Sequence, residues 1–326
     1  AKCSRVRTVP CGGPWRLPKE KGRMVSALGE PPPPVERQER TAHGAPAPLS
    51  YVPAPPAQEQ SALTSPKAGG RRAGGRRAEE TRPCRMSAGT VPNAAGSAYI
   101  EQGSTKVLAV VYGPRQAGER AQREAAAEGI LAVELGFAPF CSRAFSREES
   151  EKRALLYTSA LQRALESVVL LERYAKTAFD LHLLVLEDDG AVLTAALAAA
   201  ALALADAAVE LRDLAAGATV HLAPGLGPGG RGQLWLDCDG AEERSLPEDS
   251  AVLHLGLLPA RGSVCLLHSS GPLPSAEFEQ MVALAKGTAQ AVGTEMRKCL
   301  ERRVEEQAAK RPRLAGSNGE PEASPS

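Results

Sequence analysis

Four carboxylates crowd one short stretch of this chain, Leu236-Asp237-Cys238-Asp239-Gly240-Ala241-Glu242-Glu243-Arg244-Ser245. Acids this close suit a divalent cation or a proton transfer, because magnesium takes hard oxygen ligands and a carboxyl is a ready acid or base. The competing reading of Asp237, Asp239, Glu242 and Glu243 is a solvated acidic loop, and with no phosphate pocket beside them that reading is preferred. A second constellation places Arg143 and Arg147 among Phe140 and Phe145, with Arg115 following Gly113-Pro114 at a strand end. Arginines interleaved with aromatic rings suit phosphate contact and base stacking on a single-stranded nucleic acid. Ordinary solvated arginines give the same pattern.

Three other features offer less. His182, His254 and His268 fall on predicted strands without an Asp or Cys at ligand or nucleophile spacing, so they read as core or surface histidines and no metal is expected. The run Gly225-Leu226-Gly227-Pro228-Gly229-Gly230-Arg231-Gly232 has the glycine of a phosphate loop but lacks its Gly-Lys-Ser ending, and reads as a flexible loop. The repeat Gly69-Gly70-Arg71-Arg72-Ala73-Gly74-Gly75-Arg76-Arg77 could touch RNA phosphates, though a solvated low-complexity linker is the stronger expectation.

The elements that must position these residues are legible in the hydrophobic pattern. Ser97 to Glu101 and Lys106 to Tyr112 form a hairpin across Gln102-Gly103-Ser104-Thr105, and Ile130 to Phe137 gives a third strand. Leu155, Leu161, Leu165, Val168 and Leu171 recur near the helical period between Glu148 and Tyr174. Phe179 to Leu186 is a strand, Asp189-Gly190 turns it, and an Ala-rich helix runs to about Val209. Short strands follow around Ala218 to Leu222, Gln233 to Asp237, Val252 to Leu258 and Val264 to His268. A last helix starts at Ser275 with Phe278, Met281, Val282, Ala285, Ala289, Val292, Met296 and Leu300 on one stripe. The order predicts an α+β domain over residues 96–303, flanked by a Pro/Gly/Arg-rich segment, 1–95, and a tail, 304–326, both expected to be disordered.

Composition bounds what the domain can do. Among 326 residues the formal net charge is +1, so any nucleic-acid surface must be a local patch. Seven scattered cysteines without a CxxC pair predict free thiols in a reducing compartment. No signal peptide is expected, and residue 1 is Ala rather than Met, so the printed start is not taken as the translation start. The apolar run Ala191 to Ala205 is mostly Ala and falls short of the roughly 20 residues a membrane span needs, so it reads as a buried helix. Ala309-Lys310-Arg311-Pro312-Arg313-Leu314 reads as a short nuclear localisation signal.

Several phrases carry a family resemblance. Gly96-Ser97-Ala98-Tyr99-Ile100-Glu101-Gln102-Gly103-Ser104-Thr105-Lys106-Val107 and Val111-Tyr112-Gly113-Pro114-Arg115 resemble the opening of ribonuclease-PH-like subunits of the eukaryotic RNA exosome. The turn Glu187-Asp188-Asp189-Gly190-Ala191-Val192-Leu193-Thr194 is similar to the family's Asp-Gly-Gly-Thr-Arg-Thr, which holds the attacking phosphate. Aligned on Leu202-Ala203-Leu204-Ala205-Asp206-Ala207, the family's second glycine falls on Ala191, its Thr on Val192 and its phosphate-binding Arg on Leu193. The acidic stretch resembles Asp-Leu-Asp-Tyr-x-Glu-Asp-Ser, with Asp237 on the first acid and Glu243 on the second, Gly240 in place of the aromatic and Arg244 in place of the serine.

The resemblance, over roughly residues 80 to 303, implies a pair of βαβα-type halves and a place in a hetero-hexameric ring threaded by single-stranded RNA. It further implies partner ring subunits of the same family, RNA-binding cap subunits, and residence in nucleus, nucleolus and cytoplasm, with no cofactor and no membrane. Arg115, Arg143 and Arg147 are the expected RNA contacts, because related subunits turn basic residues toward the pore. Leu193 implies that no residue here is catalytic. The alternative is an active phosphate-dependent 3′-to-5′ exoribonuclease using Asp237 and Glu243. A third reading is a free-standing RNA-binding module acting through the arginine-rich tail.

Overall fold

The computed structural model describes residue 72 and residues 75–116, 128–141, 146–225 and 232–310. Nine strands, β1 (Cys84–Ala88), β2 (Gly96–Gln102), β3 (Thr105–Gln116), β4 (Ile130–Phe137), β5 (Thr177–Glu187), β6 (Ala216–Ala223), β7 (Gln233–Leu236), β8 (Ala251–Leu258) and β9 (Ser263–Ser270), form two sheets among the described residues. The first has order β1-β2-β3-β5-β4, antiparallel except for the parallel β4/β5 pair; the second, β7-β6-β8-β9, is antiparallel throughout. The helices are α1 (Arg147–Val168), α2 (Val192–Asp206), α3 (Gly240–Ser245) and α4 (Ser275–Lys310). This is the expected α+β domain.

Helix α2 joins the two sheets. All thirteen residues from Val192 to Leu204 are buried, and the helix packs on β2 and β3 of one sheet and β6 of the other. Alanine permits that approach, since a small side chain on every face lets sheets close in from both sides. At Gly96 a Cβ would stand 2.3 Å from the Ala203 carbonyl oxygen, so nothing larger than glycine fits where β2 crosses the helix. On the second sheet, the α4 stripe buries Met281, Ala285, Ala289 and Met296.

Some boundaries differ from expectation. The domain does not start at residue 96: β1 pairs with β2, Arg72 and Arg82 are buried, and residues 75–95 belong to the fold. Low local hydrophobicity concealed this, because the segment is held by charge rather than apolar burial. Helix α1 ends at Val168, where Val169 bridges to Leu211, instead of continuing to Tyr174. Helix α4 runs past residue 303 to Lys310; the rest of the basic cluster ending at Leu314 lies outside the described residues. No described helix is long and apolar enough to cross a membrane.

Candidate functional site

The strand β5 ends in the turn Asp188-Asp189-Gly190-Ala191, which aims the N-terminus of α2 at the end of β7. Asp188 is fixed by Arg153 of α1 at 2.7 Å, and that guanidinium lies over the rings of Phe137 and Tyr157. Thr105, at the start of β3, accepts from the Asp189 N–H at 3.2 Å and donates to the Gly190 carbonyl at 2.8 Å. Gly190 has φ +86 and a Cβ there would meet the Cys238 carbonyl oxygen at 2.6 Å, so the turn demands glycine. Ala191 is also left-handed, φ 54, and caps the helix without a side-chain hydrogen bond. That is a backbone state glycine adopts without strain, in keeping with the family's glycine at this position.

A helix N-terminus offers free N–H groups and a positive dipole to an anion. Here the side chain that would supply a full charge is Leu193, 0% exposed and packed in the core. Thr194 turns its hydroxyl back to the Ala191 carbonyl at 3.0 Å and onto Thr219 Oγ1, also at 3.0 Å, and Thr219 meets His254 Nδ1 at 3.0 Å. Burial beside His221 and His268 pushes His254 down to about 3 from its ordinary 6.5, so its ring is neutral at pH 7. Leu193, Thr194 and Thr219 bring no charge to the helix start.

The acidic stretch is neither a magnesium site nor a solvated loop. Asp237, φ 51 and only 2% exposed, accepts from the Arg82 backbone N–H at 2.8 Å on one oxygen and from Arg82 Nη2 and Nε at 2.7 and 3.1 Å on the other. Burial works to raise this carboxyl, but hydrogen bonding and charge from Arg82 overcome it, and its pKa is lowered. Glu242, 4% exposed, is held through Oε2 by Arg72 Nη1 and Arg76 Nη2, each at 2.9 Å. Asp239 caps α3, accepting from the Ala241 and Glu242 N–H groups, and Glu242 reaches back to the Asp239 N–H at 3.1 Å, a capping box in place of the expected solvated acidic loop. Asp189 accepts from the Gly240 N–H at 3.0 Å; burial raises its pKa.

Both oxygens of Asp237 and one of Glu242 are taken by arginines, Glu242 Oε1 being buried without a partner, and among the described residues no three His, Cys, Asp or Glu side chains converge as a metal site. Glu243 differs: it lies 3.5 Å from Nε2 of the buried His221 and close against Gly190.

Of the expected RNA contacts, Arg115 lies on the first sheet and Arg147 on helix α1. Arg115 sits at the far end of β3, paired with Ala178 at the start of β5, and its Nε and Nη2 bind Asp180 at 2.5 and 2.8 Å. Arg147 opens α1 beside the other end of the β4/β5 pair, its side chain 92% exposed and 2.9 Å from Glu151. Seven residues of β5 separate the two ends, roughly 23 Å at strand rise. Phe140 is exposed, whereas Arg143, Phe145 and most of the glycine loop lie outside the described residues. His182 stands on the open face of β5 with Glu134 at 3.1 Å and Tyr112 edge-on.

The residues missed from sequence are Arg72, Arg76, Arg82 and His221. The Gly-Gly-Arg-Arg repeat displayed two of the arginines, but nothing local ties them to acids more than 150 residues away. Arg72 and Arg76 are thus ion-paired residues of the fold rather than part of a solvated linker.

Comparison with known proteins agrees with this fold. The 3′ exoribonuclease family, domain 1, matches residues 80–210. Exosome complex component Rrp41 of Pyrococcus furiosus is 34% identical over 232 residues, 71% of this chain and 88% of its own length. Exosome complex component MTR3 of Homo sapiens is 42% identical over 204 residues, 58% of this chain and 71% of its own. The crystal structure of rice (Oryza sativa) Rrp46 superposes with TM-score 0.58 at 25% identity, covering 71% of this chain and all of the rice chain.

Proposed function

The chain belongs to the 3′ exoribonuclease, ribonuclease PH, family, and on that premise we propose that it is a non-catalytic ring subunit of an RNA exosome, of the kind represented by human exosome complex component MTR3. It completes a hetero-hexameric ring with other ribonuclease-PH-like subunits, docks RNA-binding cap subunits, and lines the path of single-stranded RNA in nucleus, nucleolus and cytoplasm. Arg115, Arg143 and Arg147 contribute to that path, Arg115 by exchanging Asp180 for a phosphate. Sequence similarity to exosome complex components of Pyrococcus furiosus and Homo sapiens supports the assembly role.

The observation that carries the absence of catalysis is the buried Leu193 at the start of α2. Phosphorolysis needs a phosphate held by charged hydrogen bonds, each worth about 1.5–3 kcal/mol, and an apolar side chain supplies none. Losing one charge-stabilising donor costs roughly two to three decades in rate. The test is incubation of the purified chain with single-stranded RNA, magnesium and inorganic phosphate. Nucleoside diphosphate should stay at background; phosphate-dependent release that disappears in Glu243→Ala would overturn the reading in favour of an active exoribonuclease.

A further inference from the structure

Residues 75–83 run from one sheet to the other. The Leu236 N–H donates to the Ala78 carbonyl at 2.8 Å beside β7, the Gly103 N–H donates to Pro83 at 2.9 Å, and the chain then enters β1. Along this path Gly75, Arg77, Glu79, Glu80, Thr81 and Pro83 are exposed, so the crossing has almost no apolar anchor. What holds it is guanidinium. Arg82, its side chain 4% exposed, binds Asp237 of the second half and, from the first, the Asp189 and Gly190 carbonyls and the Thr105 hydroxyl. Arg72 and Arg76 converge on one oxygen of Glu242, and Arg72 also binds the carbonyls of Ala78, Glu80 and Leu236.

We propose that Arg72, Arg76 and Arg82 form a clasp that holds the turn before α2 shut against the acidic segment Asp237–Glu243, and that this clasp opens as a local unit while both sheets stay folded. A segment secured by a few directed charge pairs and little buried apolar surface opens more readily than the sheets it joins. The carboxylates it covers are buried, so each depends on its arginine and stays covered only while the clasp is shut. Asp237 is therefore a positioning residue, gripping Arg82, which in turn fixes the carbonyls that shape the turn. This inference requires neither RNA binding nor the absence of catalysis.

Hydrogen exchange read by mass spectrometry on the full chain tests it. Arg82→Lys keeps the charge but loses the fork, and should raise exchange about tenfold or more in Asp188–Thr194 and Asp237–Ser245, as expected for lost charged hydrogen bonds in a local opening. Strand β8 and helix α4 should exchange as in the parent protein. Arg76→Gln, on the less buried arm, should raise exchange in Gly240–Ser245 alone and decides the matter if Arg82→Lys does not fold. Unchanged exchange in these segments, or an equal rise throughout the domain, would overturn the clasp.

Discussion

The two sides of this site are stabilised in opposite ways. At the helix start the packing is apolar: Leu193 fills the core, and the neighbouring threonines satisfy one another and the helix backbone. Across from it the acids remain, but Asp237 and Glu242 are neutralised by arginines of the same chain. An apolar replacement stabilises through packing and leaves nothing to pair. A retained buried carboxylate is stable only with a partner, so one side tolerates simplification while the other depends on a specific cation.

That contrast can be broken most severely at Arg82. Replacing it by Ala strands a buried Asp237, and chemical denaturation should show a loss of about 3–5 kcal/mol. A loss below about 1 kcal/mol would show that Asp237 finds water or another donor. Leu193→Arg tests the opposite side by forcing a cation into a filled core; a loss of at least about 2 kcal/mol is expected from overpacking and desolvation. It should not produce phosphorolysis, because Ala191, Gly240 and Arg244 still differ from the family's pattern.

Truncation sharpens the comparison further. Removing residues 1–70 retains all three arginines and should leave the thermal midpoint within scatter, whereas removing 1–78 takes away Arg72 and Arg76 and should lower it by several degrees, as a loss of about 2 kcal/mol would in a domain this size. Equal midpoints would dismiss the pairing on Glu242.

Acid should reveal the two sides in turn. His254 is depressed to about 3, so between its ordinary 6.5 and that value the unfolded chain takes the proton first and stability falls as pH falls. Asp237 is lowered as well, and its contribution is complete above the ordinary carboxylate pKa of about 4 and lost as pH drops below it. His254→Asn should flatten the first phase in denaturation curves measured at stepped pH and leave the second.

The smallest effect concerns RNA. In an assembled ring, Arg115→Ala with Arg147→Ala should flatten the salt dependence of single-stranded RNA binding by about 0.7 in logarithmic slope for each lost phosphate contact. An unchanged slope in an intact ring would remove both residues from the path and leave Arg115 as the partner of Asp180 alone.

Periodicity in the sequence determined most of the elements. The β2/β3 hairpin, β4, the Ala-rich helix and the α4 stripe follow from side chains that alternate or repeat at helical spacing, because burial of one face is a local demand on the chain. The turn before the Ala-rich helix was legible too, since Asp189-Gly190 marks a reversal at the end of a strand. Tertiary structure decided the fate of the acids and the extent of the domain. Whether a carboxylate binds a metal, meets water or pairs with an arginine depends on what the fold sets beside it, and here the partners come from residues 72–82, more than 150 positions away. Charge pairing leaves no periodic trace in sequence, so a polar, glycine-rich segment held by three arginines looks the same as a linker until the fold closes around it.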